Sequence, residues 1–168
     1  MSEVRILLFR GMNTGGVRAP VAEQKAMALD LGLAKPRTVL ASGNLIVDSD
    51  ADPAELEARV EAETERRFGR RIETIVRTGH QWTALMAANP FADEARRDPS
   101  RLLLMVMKAG IRREGVEALR TLATETEAVA DAGGAPWVWL PDGIGASKKA
   151  EKTPPPPIRP RTARNRKT

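Results

Sequence analysis

The feature that most constrains the fold is a short apolar run followed by a glycine-rich segment near the N-terminus. Residues 6–9 are all apolar, and residues 10–16 contain three glycines together with Arg10 and Asn13. So short a run, bounded by glycine, is typical of a buried β-strand. Glycines let the backbone bend, and loops of this kind carry binding groups more often than they serve as plain connections. The stretch therefore predicts a strand at 4–10 whose C-terminal loop is a candidate binding site.

Signals further along the first half predict alternating strands and helices. Pro20 stands where a helix begins, Asp52-Pro53 is a helix start, and apolar or alternating runs mark the strands. The predicted elements are a strand at 4–10, a helix from 20 to 32, strands at 37–40 and 45–47, a helix from 52 to 69 and a strand at 72–76. This order is that of a split βαβ, ferredoxin-like unit.

The second half repeats this pattern less regularly. The predicted elements are a helix ended by Asn89-Pro90, an irregular loop at 91–100, a strand at 102–107, a helix at 116–122 and a hairpin of 125–131 with 135–140 around Gly133-Gly134. The fold class that follows is α+β, with tandem ferredoxin-like (split βαβ, α/β-plait) units and antiparallel sheets. The predicted domains are a first unit at 1–77, a second unit at 78–146 packed on the first, and a Pro-rich basic tail at 147–168.

The net charge of +5 comes from the C-terminal tail. Residues 147–168 hold eight of the 27 Lys and Arg residues and one of the 22 acidic residues, so residues 1–146 carry a net charge of −2. Four consecutive prolines at 154–157 exclude a helix or strand there. The tail is predicted to be disordered, to contribute little to folding and to bind nucleic acid weakly, if at all.

Composition excludes several classes of protein. The chain has no cysteine, which excludes disulfides, thiolate metal sites and a cysteine nucleophile and suits a reducing cytosol. The apolar run at 6–9 is too short for a signal peptide or a membrane span. A cytoplasmic protein without membrane contact is expected, and the sequence leaves its oligomeric state open.

The candidate binding site combines two loops. In a ferredoxin-like unit the first and third strands are antiparallel neighbours, so the loop after strand one and the turn before strand three are expected at one end of the sheet. The predicted ligand-binding residues are Arg10, Gly11, Asn13, Gly15, Gly16, Ser42, Gly43 and Asn44. A cation, amides and a hydroxyl suit a carboxylate or phosphate. The alternative is that the asparagines only tie the loops together.

No residue pattern indicates catalysis, a metal or a cofactor. His80 is the only histidine and stands at a helix start, where an exposed side chain without a role is expected. The segment 10–16 fits neither G-x-G-x-x-G nor the Walker pattern, and Ala-Ser-Gly-Asn around Ser42 is not a nucleophile elbow. We therefore expect no metal and no cofactor, and leave open whether the protein is an enzyme.

Four motifs together resemble the bacterial family known as domain of unknown function 1697. They are R-G-M-N-T-G-G at 10–16, R-T with S-G-N at 37–44, N-P-F at 89–91 and T-A-R-N-R-K-T at 162–168. The resemblance implies tandem ferredoxin-like domains, and it adds Arg164 and Asn165 of the closing motif as a further contribution to the site. Arg166 replaces the tryptophan of the family pattern. The family implies no reaction.

Three functions agree with these residues. The first is a module that binds a small anionic or phosphate-bearing ligand, a nucleotide or an RNA, through loops 10–16 and 42–44. The second is a small enzyme that uses the same Arg, Asn and Ser side chains to stabilise an anion. The third is a protein-interaction domain without a small ligand. The run at 45–47 lacks the aromatic residues on which an RNA-recognition sheet stacks bases.

Overall fold

The computed structural model describes residues 2–13, 16–39, 43–110 and 112–143, and the backbone of 162–165. The chain forms two compact units, Met1–Thr83 and Ala84–Thr168. The division lies a few residues after the boundary predicted at 77/78.

The first unit alternates strands and helices in the order β-α-β-β-α-β. Its elements are β1 (Glu3–Phe9), α1 (Val21–Asp30), β2 (Ala34–Thr38), β3 (Asn44–Ser49), α2 (Pro53–Phe68) and β4 (Thr74–Thr78). Every element predicted for this half is present, with ends that differ by a few residues.

The ends of α2 follow from local sequence. The Asp52 carboxylate accepts hydrogen bonds from the backbone N–H groups of Ala54 (2.9 Å) and Glu55 (3.3 Å), which have no partner inside the helix. Pro53 occupies the first turn, where its missing N–H costs nothing. Gly69 ends the helix with a φ of 69°, in the left-handed region that glycine adopts readily.

The first sheet is antiparallel with the strand order β2-β3-β1-β4. In one row Leu7 lies opposite Leu45 and Val76, and in the next row Leu8 lies opposite Asn44 and Ile75. Successive side chains point to opposite faces, so the two rows occupy different faces of the sheet. The face that carries Leu7 packs on the helices, with core residues that include Met27, Ala28, Leu56 and Val60. The other face is called the Leu8 face below.

Side chains from the helices cover the outer edge of β4. The Arg10 N–H donates to the Glu73 carbonyl (2.9 Å), so the backbone N–H and C=O groups of residues 73, 75 and 77 face β1. Those of residues 72, 74, 76 and 78 therefore face outwards. A side-chain oxygen accepts each outward N–H: Ile72 to Thr64 (3.0 Å), Thr74 to Glu61 (3.1 Å), Val76 to Glu57 (2.9 Å) and Thr78 to Gln81 (2.9 Å). The edge strand therefore has no outward N–H available for another strand along these residues.

The second unit has its own antiparallel sheet with the order β6-β7-β5-β8. Its elements are α3 (Gly79–Ala87), which begins in the first unit, α4 (Ala92–Arg97), β5 (Leu102–Val106), α5 (Arg113–Thr121), β6 (Ala128–Ala132), β7 (Ala135–Trp139) and β8 (Thr162–Asn165). Met105, Leu119, Val138 and Leu140 form a core between α5 and the sheet. The molecule is thus an α+β protein with antiparallel sheets.

Two sequence-based expectations fail in the second unit. The segment 91–100, predicted to be irregular, contains α4 and a 3-10 turn at Pro99–Arg101. Acidic residues in the first turn of α4 and basic residues in its last turn match the helix dipole, a signal too short to stand out in the sequence. The prediction of a disordered tail does not hold for β8, which pairs with β5 from Val106↔Thr162 to Leu103↔Asn165. The rest of 147–168 lies outside the described residues.

Membrane-spanning helices are absent from the part of the chain that the structure describes, because none of its helices is both long and apolar enough.

Candidate functional site

The two predicted loops lie together at one end of the first sheet. The backbone N–H of Phe9 donates to the carbonyl of Gly43 (3.1 Å), and Leu8 pairs with Asn44. Residues 10–13 therefore adjoin Gly43–Asn44, and this region is called the loop end below. Gly15 and Ser42 lie outside the described residues. Arg164 and Asn165 belong to β8 of the second unit.

The close approach of the two loops requires glycine at position 43. Gly43 has a φ of 100°, and a Cβ added there would lie 2.7 Å from Cβ of Met12 and 3.2 Å from Cβ of Phe9. Met12 itself is buried. Gly16, with a φ of 88°, has no heavy atom within 4 Å of such a Cβ, so only backbone conformation favours glycine there. Gly11 also has a positive φ, 78°.

Asn13 holds its own loop in place. It adopts a φ of 61°, a left-handed conformation that asparagine tolerates. Its Oδ1 accepts from the N–H of Ala19 (2.6 Å), and its Nδ2 donates to the carbonyl of Ala19 (3.1 Å). Nε2 of the buried Gln24 donates to the same carbonyl (2.8 Å). These bonds fix the path of the chain from β1 to α1, so the Asn13 amide has a structural role.

Asn44 holds the turn between β2 and β3, but only half of its amide is used. Nδ2 donates to the carbonyl of Val39 (3.0 Å), and the Val39 N–H donates to the Asn44 carbonyl (3.1 Å). The residue is 2% exposed, and its Oδ1 is buried without a hydrogen-bond partner among the described residues. A buried oxygen in this state is unusual and commonly indicates a water or a ligand.

Arg10 supplies the positive charge at the loop end. Its side chain is 41% exposed, and Nη1 lies 3.5 Å from the Glu73 carboxylate, whose side chain is 22% exposed. This distance is at the long limit of a hydrogen bond, and a partly exposed pair of this kind is weak. The guanidinium therefore keeps donors that can turn towards a ligand.

Gln24 and Glu73 also belong to this region, although neither is among the predicted site residues. Gln24 is a fully buried amide on the apolar face of α1. A polar residue among the apolar residues of that face was the sequence feature that could have identified it. Glu73 reaches Arg10 because β4 pairs with β1, which follows from the predicted topology but not from a local motif. It adds a carboxylate beside the cation, a group that is not among the predicted ligand-binding residues.

Two further side chains, His80 and Trp137, have ordinary structural settings. His80 is exposed on the first turn of α3. Trp137 is fully buried, and its Nε1–H donates to the carbonyl of Ala132 (3.1 Å), so it offers no surface for base stacking. A search of the described residues finds no group of three or more His, Asp or Glu side chains placed to hold a metal ion.

Comparison with solved structures supports the fold. The structure of the conserved bacterial protein SP0830 from Streptococcus pneumoniae is similar, with a TM-score of 0.70 and 21% sequence identity over 83% of this chain and 78% of that chain. Identity at this level shows a shared fold and carries no statement about a ligand or a reaction. No curated protein matches the chain.

A family comparison agrees with the motifs. The model of the family described as "Protein of unknown function (DUF1697)" matches residues 2–137, which include both loops of the loop end and the second-unit sheet as far as Trp137. The chain belongs to the DUF1697 family of proteins of unknown function.

Proposed function

We propose that the protein is a binding module for a small anionic ligand, bound at the loop end of the first sheet with Arg10 as the cation. The observation that carries the proposal is the setting of Arg10. Arg10 begins one of the two adjoining glycine loops, its side chain is 41% exposed, and its Nη1 lies 3.5 Å from the Glu73 carboxylate. An arginine held this loosely can exchange a weak ion pair for a stronger one with a ligand carboxylate or phosphate.

The asparagines support the site indirectly. The side-chain N–H groups of Asn13 and Asn44 donate to the carbonyls of Ala19 and Val39, which fixes the conformations of the two loops at the loop end. A rigid frame around one adaptable cation lowers the conformational cost of binding. A phosphate-bearing metabolite such as a nucleotide matches this arrangement.

The strand orders support a finer description of the fold. We infer that the first unit is a ferredoxin-like domain, because it combines the order β-α-β-β-α-β with a sheet ordered β2-β3-β1-β4. The second sheet, ordered β6-β7-β5-β8, has the same arrangement when β5 is matched with β1, which supports tandem units. The absence of cysteine supports a place in a reducing cytoplasm.

A titration of the full chain with inorganic phosphate and a panel of nucleotides tests the binding proposal by isothermal titration calorimetry. Arg10→Ala is expected to weaken binding roughly tenfold or more, because a hydrogen bond to a charged group contributes ~1.5 kcal/mol or more. The thermal midpoint should stay unchanged, since the Glu73 contact is weak. Arg96→Ala, which removes a 75% exposed arginine on α4, is the matched control and should leave binding intact.

The proposal is contradicted if Arg10→Ala and Arg96→Ala bind every probe as the unaltered protein does. It is also contradicted if Arg10→Ala lowers the melting temperature by several degrees while binding persists, since Arg10 would then have only a structural role.

A further inference from the structure

We infer that the ligand of the loop end is a small zwitterion, in which an ammonium group lies one or two carbon atoms from the anionic group. Arg10 binds the anionic group, and the carboxylate of Glu73 accepts a hydrogen bond from the ammonium. Amino acids and aminoalkyl phosphates form the chemical class that this describes. The inference rests on the proposed role of Arg10 as an anion-binding residue, and it adds the second charge and the size of the ligand.

Strand pairing holds Arg10 and Glu73 side by side. The register of β1 and β4 includes Phe9↔Thr74, and the next backbone bond runs from the Arg10 N–H to the Glu73 carbonyl (2.9 Å). Residues directly opposite each other on antiparallel strands have Cβ atoms ~5 Å apart on the same face. The sheet itself therefore fixes the spacing between this cation and this carboxylate.

The two charged groups are adjacent but do not close tightly on each other. Nη1 of Arg10 lies 3.5 Å from Oε2 of Glu73, whereas Lys35 on β2 and Asp48 on β3 approach to 2.9 Å. The side chains of Arg10 and Glu73 are 41% and 22% exposed, so a ligand can reach both. An ion pair this long and this exposed is weak, and both of its charges gain from a further partner.

Burial of the neighbouring residues limits the size of the ligand. Leu8 and Ile75 lie two residues from the pair on β1 and β4 and are 0% exposed, and Asn44 on β3 is 2% exposed. A ligand therefore cannot extend from the pair onto the Leu8 face. The binding position is confined to the end of the sheet, which suits a molecule of few non-hydrogen atoms.

The charges of the pair favour a zwitterion over a simple anion. An anion bound to Arg10 lies close to the Glu73 carboxylate, so two negative groups become neighbours and repel each other. An ammonium on the ligand offsets this repulsion, because it donates to Glu73 while the anionic group accepts from Arg10. With a two-carbon linker, standard bond lengths place the two charges of the ligand roughly 3–5 Å apart. This matches the 3.5 Å between the charged groups of the protein.

Two matched pairs of probes test the inference by isothermal titration calorimetry on the full chain. Phosphoethanolamine is compared with ethyl phosphate, and β-alanine with propionate, so the members of each pair share the anionic group and differ by the ammonium. In at least one pair the zwitterion is expected to bind about tenfold more tightly, because it adds a hydrogen bond between charged groups. The pair that shows the preference identifies the anionic group as phosphate or carboxylate.

Variants of Glu73 distinguish ligand selection from a structural role. Glu73→Gln should make the members of each pair bind equally, because both the repulsion of the anion and the attraction of the ammonium are lost. Glu73→Asp keeps the carboxylate and should retain the preference. Glu117→Gln removes another exposed carboxylate that pairs with an arginine, Arg120, and as the matched control should leave the preference unchanged. A purely structural role of Glu73 would change the affinity for both members of a pair by the same factor.

The outcomes separate this inference from the proposed function. Equal binding within both pairs, or a preference that survives Glu73→Gln, overturns the zwitterion. Equal binding that is lost in Arg10→Ala leaves anion binding at the loop end in place. If none of the four probes binds, the inference is overturned, and the proposed function is overturned as well only if inorganic phosphate and the nucleotides also fail to bind. The comparison in the unaltered protein needs no variant, so it remains decisive even if a Glu73 variant does not fold.

Discussion

At the scale of single residues, Asn13 and Asn44 show how one side chain can resemble a binding group and serve the fold. Both stand in glycine loops beside an arginine, and both donate to carbonyls of their own loops. The position of these loops follows from the strand order, which the sequence indicates. The hydrogen-bond acceptors of the two asparagines do not follow from the sequence, because they are the backbone carbonyls of Ala19 and Val39, which no residue pattern indicates. The two loops therefore lie together as predicted, and the side-chain donors of both asparagines are occupied within the fold.

Gly43→Ala tests the contact between the loops. The added Cβ would lie 2.7 Å from Cβ of Met12, which no rotamer change can move, and the φ of 100° disfavours any side chain. We expect a loss of about 2–4 kcal/mol in the free energy of unfolding, measured by urea denaturation.

Gly16→Ala is the matched control for that experiment. Its φ is also positive, but the space around it is empty, so only the backbone cost of about 1 kcal/mol is expected. Equal losses for the two variants would mean that the contact between Met12 and Gly43 does not contribute.

At the scale of elements, α2 and β4 form a linked pair through hydrogen bonds as well as apolar packing. Glu57 and Glu61 are buried carboxylates that accept backbone N–H groups of the edge strand, at 2.9 Å and 3.1 Å. The sequence predicts the helix that carries both glutamates, and charged residues on a helix are typical of its exposed face. Their burial arises from the distance between helix and strand, which the pattern of a single helix does not contain. The same limit explains α4, whose six residues are too few for a periodic signal.

Glu57→Ala and Glu61→Ala are each expected to lower the free energy of unfolding by about 1–3 kcal/mol, because each leaves a buried backbone N–H without an acceptor. Urea denaturation measures the loss. Glu65→Ala on the same helix removes a 62% exposed carboxylate and should change stability by less than about 0.5 kcal/mol. If all three variants lose the same free energy of unfolding, the hydrogen bonds from Glu57 and Glu61 to the edge strand do not contribute to stability.

At the scale of the whole molecule, two sheets share one strand arrangement but complete it differently. β4 follows α2 closely along the chain, whereas β8 follows β7 only after residues 140–161. The repeat was visible in the sequence as a weak duplication up to the hairpin at 125–140. Its last strand was not, because Thr162–Asn165 contain a single apolar residue, Ala163, and the strand forms through backbone bonds to β5.

Removal of residues 162–168 tests the pairing of β8 with β5. Without it the backbone of Leu103–Val106 becomes an open edge, and an exposed apolar edge strand pairs readily with other chains. We expect faster amide hydrogen exchange in β5 by mass spectrometry, together with concentration-dependent association in sedimentation velocity. Unchanged exchange in β5 would show that the strand contributes nothing, as the sequence alone suggested.

The covered edge of β4 also has a consequence for the order of events during synthesis. The ribosome makes α2 before β4, so Thr64, Glu61 and Glu57 have already been synthesised when the outward N–H groups of Ile72, Thr74 and Val76 emerge. In the second sheet, β5 awaits a strand that is translated a few seconds after β7. Nascent chains are therefore expected to need protection by chaperones during that interval, for the second sheet and not for the first.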